Sequence, residues 1–169
     1  MVHQQPFLLT IISGGQTGAD RAALDAAIAL DLPYAGWCPK GGWAEDMPSP
    51  PGILARYPAL REASSADPSE RTRFNVRDSD ATLLLTLSAG LDVSRGACLT
   101  VEIARAMGRP FLVLDVEDGA SLNAAGEWLA ALKGSAAVVN VAGPRESEAP
   151  GLYRAAYDFL RALLERRSQ

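Results

Sequence analysis

Five short runs of apolar and β-branched residues alternate with five stretches of helical period, and this alternation restricts the fold more than any other feature of the chain. The β-rich runs fall at 7–13, 34–37, 81–87, 111–116 and 136–142. The helical stretches fall at 19–30, 68–79, 97–107, 122–133 and 152–166. Strands interleaved with amphipathic helices predict a single α/β Rossmann-like domain over 1–169. Its sheet should be mainly parallel, with right-handed crossovers and helices on both faces. Within 19–30, Leu24 and Ile28 lie one turn apart, and Arg21 and Asp25 are spaced for an i,i+4 pair toward water. Leu99, Ile103 and Met107 repeat every four residues and mark the expected buried face of the third helix. The last helix should bury Leu152, Ala156, Phe159, Leu160 and Leu163, and the fourth Leu122, Ala125, Leu129 and Leu132. The stretch 33–58, rich in Pro, Gly and Trp, has no sustained period beyond the short run at 34–37 and reads as a long loop.

A length of 169 residues suits one domain with its own core. The net charge of −4 disfavours a general nucleic-acid binder, which carries a basic face. No apolar run approaches the ~20 residues needed to span a bilayer, and the start Met1-Val2-His3-Gln4-Gln5-Pro6 lacks a signal peptide's basic region and apolar core. The expectation is a cytoplasmic protein without membrane or nucleic-acid partners. Cys38 and Cys98 stand far apart outside any CxxC pair and His3 is the lone histidine, so no metal site is predicted and both thiols are expected free.

In an open parallel sheet, ligands collect beyond the carboxyl ends of the strands, near a switch in strand order. Three loops there carry unusual polar content. The first is Ser13-Gly14-Gly15-Gln16-Thr17-Gly18-Ala19-Asp20. Its glycines let backbone approach an anion, and the helix that follows offers free N–H groups. Alternatively it is a tight turn in which Asp20 complements the helix dipole. It is neither a P-loop nor GxGxxG. The second loop runs over 88–100, where Ser94 or the Gly96 backbone opens a helix and Arg95 is a candidate clamp; the alternative is an ordinary capped helix with a solvated arginine. The third is Gly143-Pro144-Arg145-Glu146-Ser147, in which Arg145 is placed to reach a carboxylate or phosphate, or to pair with Glu146. Two further segments are candidates: Trp37-Cys38-Pro39-Lys40-Gly41-Gly42-Trp43-Ala44-Glu45-Asp46, as an aromatic wall or an anchored surface loop, and 71–80, with Arg71, Thr72 and Asn75 as possible contacts on an otherwise solvated helix.

These residues resemble a known family. The 13–20 motif, Trp37-Cys38-Pro39-Lys40-Gly41, Ala44-Glu45-Asp46, Arg71-Thr72 with Asn75-Val76, Asp78-Ser79-Asp80-Ala81-Thr82 and Asn140-Val141-Ala142-Gly143-Pro144-Arg145-Glu146-Ser147 are similar to the putative molybdenum carrier family, the circularly permuted YpsA branch of the SLOG superfamily. The likeness runs in order along nearly the whole chain. It implies a Rossmann-like fold related to the Lonely Guy phosphoribohydrolases and DNA-processing protein A, with a pocket for a nucleotide-like ligand. For some members it implies carriage of molybdenum cofactor, a pterin with a terminal phosphate. Three positions depart from the family pattern: Arg95 stands for a glycine, Ala97 for a hydroxyl residue, and Gly42 for an arginine.

The ligand-binding set expected is Gly14, Gly15, Gln16, Thr17, Gly18, Asp20, Lys40, Arg71, Asn75, Ser94, Arg95, Gly96, Thr100, Arg145, Glu146 and Ser147. The leading reading is a non-catalytic carrier of molybdenum cofactor or a related phosphorylated pterin. A nucleotide sensor is the second. A Lonely Guy-like hydrolase of nucleoside 5'-monophosphates is the third, with Glu102 as its carboxylate by analogy with glycoside cleavage. A homo-oligomer is expected, since related SLOG proteins pair through helices.

Overall fold

A computed structural model describes residues 8–132 and 136–166. In chain order the elements are β1 (Leu8–Ile12), α1 (Ala19–Ala29), β2 (Tyr34–Ala35), β3 (Trp37–Cys38), β4 (Arg61–Glu62), α2 (Pro68–Arg77), β5 (Ala81–Thr86), α3 (Arg95–Ala106), β6 (Phe111–Asp115), α4 (Ser121–Ala131), β7 (Ala136–Ala142) and α5 (Leu152–Glu165). Short 3-10 turns at Lys40–Gly42 and Gly52–Ala55 punctuate the long loop. Phe7 and Lys133, placed at element ends by the sequence pattern, lie outside the described residues.

Five strands form one parallel sheet in the order β2-β1-β7-β5-β6. From the central β7, the β1–β2 half lies to one side and the β5–β6 half to the other. The order therefore switches at β7, and a crevice opens above the carboxyl ends of β1, β7 and β5. Successive strand residues face opposite layers. Leu9, Ile11, Leu83, Leu85, Val139 and Val141 pack with α1, α4 and α5 in the main core. On the other face Val76, Ile103 and Ala104 pack with Leu99 and Phe111 beneath α2 and α3. All six residues of β5 are buried, as a central strand covered on both faces requires. Each buried leucine contributes about 1.5–3 kcal/mol, so this layering is the main source of stability.

The structure corrects three local expectations. Tyr34–Ala35 and Trp37–Cys38 are not one strand: the chain breaks at Gly36, and β3 leaves to pair with β4 in a separate two-stranded sheet. On α3 the inward face is Ala97, Thr100, Ile103 and Ala104, whereas Met107 is 38% exposed. Small residues face the sheet because they let the helix approach it closely; Leu99 is only partly buried at the edge of this face, and Met107 is turned outward. On α1, Ile28 is exposed and Arg21 is buried. Arg21 does not pair with Asp25; it binds Asp46 through both terminal nitrogens at 2.8 and 2.9 Å. The core faces expected for α4 and α5 agree with the structure, with Leu152, Ala156, Phe159, Leu160 and Leu163 all buried.

Candidate functional site

The crevice above β1, β7 and β5 contains a narrow cleft lined by Gln16, Asp20, Pro68, Ser69, Arg71, Thr72, Ser94, Gly96, Leu99, Thr100, Ala142, Gly143 and Arg145. It encloses about 60 Å³, room for a few waters, so a single small polar group fills its floor. The first turns of three helices reach it: α1 at Asp20, α2 at Pro68 and Ser69, and α3 at Gly96. Each helix start carries a partial positive charge from its unpaired N–H groups. Ser94 caps α3 by accepting from the Ala97 N–H at 3.2 Å, and Asp67 caps α2 by accepting from Ser69 at 2.9 Å. Thr100 donates its hydroxyl to the Gly96 carbonyl at 3.0 Å.

Two guanidinium groups face this convergence. Arg71 comes from α2 and lies directly over Gly14, where any Cβ would collide with its head. Its Nη1 donates to Asp20 at 3.2 Å, while its Nε is buried with no partner among the described residues. A buried unpaired donor costs about 1–3 kcal/mol, so an acceptor entering the cleft here is strongly favoured. Asp20 is only 3% exposed, and burial pushes its carboxyl above the ordinary value while Arg71 pulls the other way. Arg145 leaves the end of β7 with its guanidinium 5.5 Å from the centre of the Trp43 ring. It does not pair with Glu146, whose carboxylate accepts the Gly151 and Tyr153 N–H groups at 2.6 and 2.8 Å and so anchors the start of α5. The charged residues that line the cleft are Asp20, Arg71 and Arg145, two cations to one anion, beside the three helix starts.

The loops that bear these groups are stitched together by Glu45. Its carboxylate accepts hydrogen bonds from the Thr17 hydroxyl, from the Ser147 hydroxyl at 2.6 Å and from the Ser147 N–H at 3.3 Å. The Gln16 side-chain oxygen takes the Thr17 and Glu45 N–H groups at 3.0 and 2.9 Å, and Glu146 N–H donates to Thr17 at 3.1 Å. At Gly18, φ is +78° and a Cβ would strike the Pro144 carbonyl, so only glycine lets the first loop lie against the third. Burial works to raise the Glu45 carboxyl, but the hydrogen bonds from Ser147 and Thr17 outweigh it and hold it below the ordinary value. A carboxyl depressed on folding stabilises the protein above its unfolded value, and this contribution is lost as pH falls through the folded value. Melting curves of wild type and Glu45→Gln should therefore differ most near neutral pH and converge below the ordinary glutamate value of about 4.3. A gap that stays constant into acid contradicts this role.

Seven of the expected residues, Gln16, Asp20, Arg71, Ser94, Gly96, Thr100 and Arg145, thus meet in one cleft. Gly14 underlies Arg71, and Gly15 packs on Ile53 and Leu60. Thr17, Gly18 and Glu146 line a separate, more open depression of about 380 Å³ with Arg21, Asp25, Asp46, Arg56 and Tyr153. There the charges satisfy one another: Asp46 holds Arg21, and Asp25 accepts Tyr57 and Tyr153 hydroxyls at 2.6 and 2.7 Å beside Arg56. We read that depression as a structural network for this reason, despite its greater size. Asn75 is buried and clamps the Trp37 backbone at 2.8 and 3.0 Å, outside the cleft. Lys40, Arg95 and Ser147 are exposed and do not line it. Glu102 points from the outer face of α3, two residues and about 200° around the helix from Thr100. The sequence reading missed Ser69, although the Asp67-Pro68 helix start was visible and a helix start is an anion-binding signal.

Residues 11–164 match the model of the circularly permutated YpsA SLOG family. A crystal structure of a putative molybdenum carrier protein from Syntrophus aciditrophicus SB, at 1.45 Å resolution, is 38% identical to this chain. The two superpose with a TM-score of 0.80 over 97% of this chain and 99% of that one. Among curated proteins there is no match.

Proposed function

The chain belongs to the circularly permutated YpsA SLOG family, and we propose that its cleft grips the phosphate of a small carried ligand, with molybdenum cofactor, a phosphorylated pterin, as the cargo. The convergence of three helix starts with Arg71 and Arg145 on one narrow cleft carries this reading. The unpaired Arg71 Nε and the Arg145 fork supply charge-assisted donors to phosphate oxygens, stronger than neutral hydrogen bonds. The cleft floor accepts a group of phosphate size, and the body of the ligand lies over the rim, where Trp43 beneath Arg145 offers an aromatic face. Among the described residues no group of three or more His, Cys, Asp or Glu side chains is placed to hold a metal. On this reading the cargo is held by its phosphate and its ring system. The 38% identical putative molybdenum carrier supports the choice of cargo. No helix among the described residues is long and apolar enough to cross a membrane.

Mass spectrometry of small molecules released from gently purified protein tests this reading. A phosphorylated pterin at near-stoichiometric yield is the expected result. A nucleoside phosphate in its place overturns the cargo and favours a nucleotide-binding role.

A further inference from the structure

Asp20 is out of place in a cleft that takes anions. It is buried, lines the cleft beside Arg71 and Arg145, and accepts from Arg71 Nη1 at 3.2 Å. Among the described residues the groups around it bring no free cation beyond these two. On α2, Asp67 and Glu70 are turned to Ser69 and to Ser64 and Ser65. On its own helix Arg21 is held by Asp46, and in the long loop Glu45 is held by Thr17 and Ser147. The start of α3 lines the cleft with Ser94, Gly96, Leu99 and Thr100, none of them charged.

Two guanidiniums offset two negative charges. A doubly charged phosphate already brings both, so an ionised Asp20 adds a third inside about 60 Å³. Like charges in such contact are relieved by one proton held between them, as in paired carboxylates. We propose that the cleft binds its phosphate together with one proton, carried between Asp20 and the phosphate, and that loss of this proton favours release of the ligand. This proton coupling presupposes that the cleft is a phosphate site. A phosphate ester titrates at about pH 6 and can bring the proton itself. An anion that has none leaves Asp20 to take the proton from solvent and donate it, as an O–H, to the bound oxygen. Burial outweighs the pull of Arg71, the Gln16 backbone and Arg21 and raises the Asp20 carboxyl above its ordinary value, which eases this uptake. Among the described residues no histidine or cysteine lines the cleft to take the proton instead.

Sulfate separates the two partners, because it stays doubly charged near neutrality and any proton must then reside on the protein. Calorimetric titrations with sulfate at matched ionic strength, in buffers of differing ionisation enthalpy, count that proton between about pH 6 and about pH 9. Wild type should take up as much as one proton per sulfate bound, and its affinity should fall at least about 10-fold across the range. Asp20→Asn cannot ionise. It should take up none, bind sulfate with a flat profile, and hold it more tightly than wild type at the alkaline end. Arg145→Ala should weaken sulfate at every pH, which locates the anion in the cleft. Sulfate that does not bind, or that binds Arg145→Ala as tightly as wild type, overturns the phosphate reading and the coupling together. Sulfate that is weakened by Arg145→Ala yet bound by wild type with a flat profile and no proton uptake overturns the coupling alone. A pH profile that Asp20→Asn retains does the same.

Discussion

Replacing Arg71 by alanine should cost about 3 kcal/mol of stability at neutral pH, near the lower end of the range for breaking a buried ion pair. The loss arises from what remains behind. Asp20 is 3% exposed, and Arg71 is its only ion-pair partner among the described residues. Without the guanidinium, a buried carboxylate must either stay charged in a poorly solvated site or take up a proton. Burial already raises its pKa in the presence of Arg71, and removing the cation raises it further. A carboxyl raised on folding destabilises the protein most above its folded value, and this cost falls away as pH drops toward the unfolded value. The deficit of Arg71→Ala should therefore shrink in urea titrations as pH is lowered from neutrality. Adding Asp20→Asn should return most of the stability at neutral pH, because no charge is then stranded. Phosphate binding should not return, because the cleft still lacks the Nε donor. A deficit that is independent of pH, or unaffected by Asp20→Asn, contradicts this account of the pair.

Arg145→Ala should act on binding instead of on folding. Its guanidinium makes no ion pair among the described residues and rests on the Trp43 ring, a contact worth about 0.5–1 kcal/mol at a partly exposed site. Glu146, its neighbour in sequence, is committed to the start of α5. Ligand-free melting should thus barely move. A charge-assisted, forked contact to phosphate is worth about 1.5–3 kcal/mol, so affinity for a phosphorylated pterin should fall roughly 10- to 150-fold. Arg145→Lys should recover part of this, since it keeps the charge and loses the planar fork. Unchanged affinity with a lowered melting temperature would falsify the role given to Arg145.

The layering of this fold was legible because it depends on local periodicity. β1, β5, β6 and β7 are apolar runs ended by glycine, proline or polar residues, and α4 and α5 present their expected core faces. The long loop was not legible in the same way. Arg61–Glu62 is an exposed two-residue strand with no alternation to reveal it, and its pairing with Trp37–Cys38 depends on the break at Gly36. On α3 the i,i+4 apolar repeat located the buried Ile103 but placed Met107 inward, because alanine and threonine, which carry no such signal, marked the close approach to the sheet. The cleft was half legible. Glycines, helix starts and arginines at strand ends carry their own signal, and Gln16, Asp20, Arg71, Ser94, Gly96, Thr100 and Arg145 do converge. Residues whose role depends on a distant partner carried none. Asn75 holds the Trp37 backbone and Arg21 is paired with Asp46, contacts made 38 and 25 positions apart in the chain. Glu102 followed a motif in sequence but sits on the far side of its helix.

The central claim is that the cleft above β1, β7 and β5 selects for a phosphate group. Calorimetric titration of the wild-type protein with a phosphorylated pterin and with the same pterin after enzymatic removal of its phosphate tests it most directly. The account predicts saturable binding of the phosphorylated compound and a loss of at least about 10-fold on removing the phosphate. Equal affinity for the two compounds would contradict it.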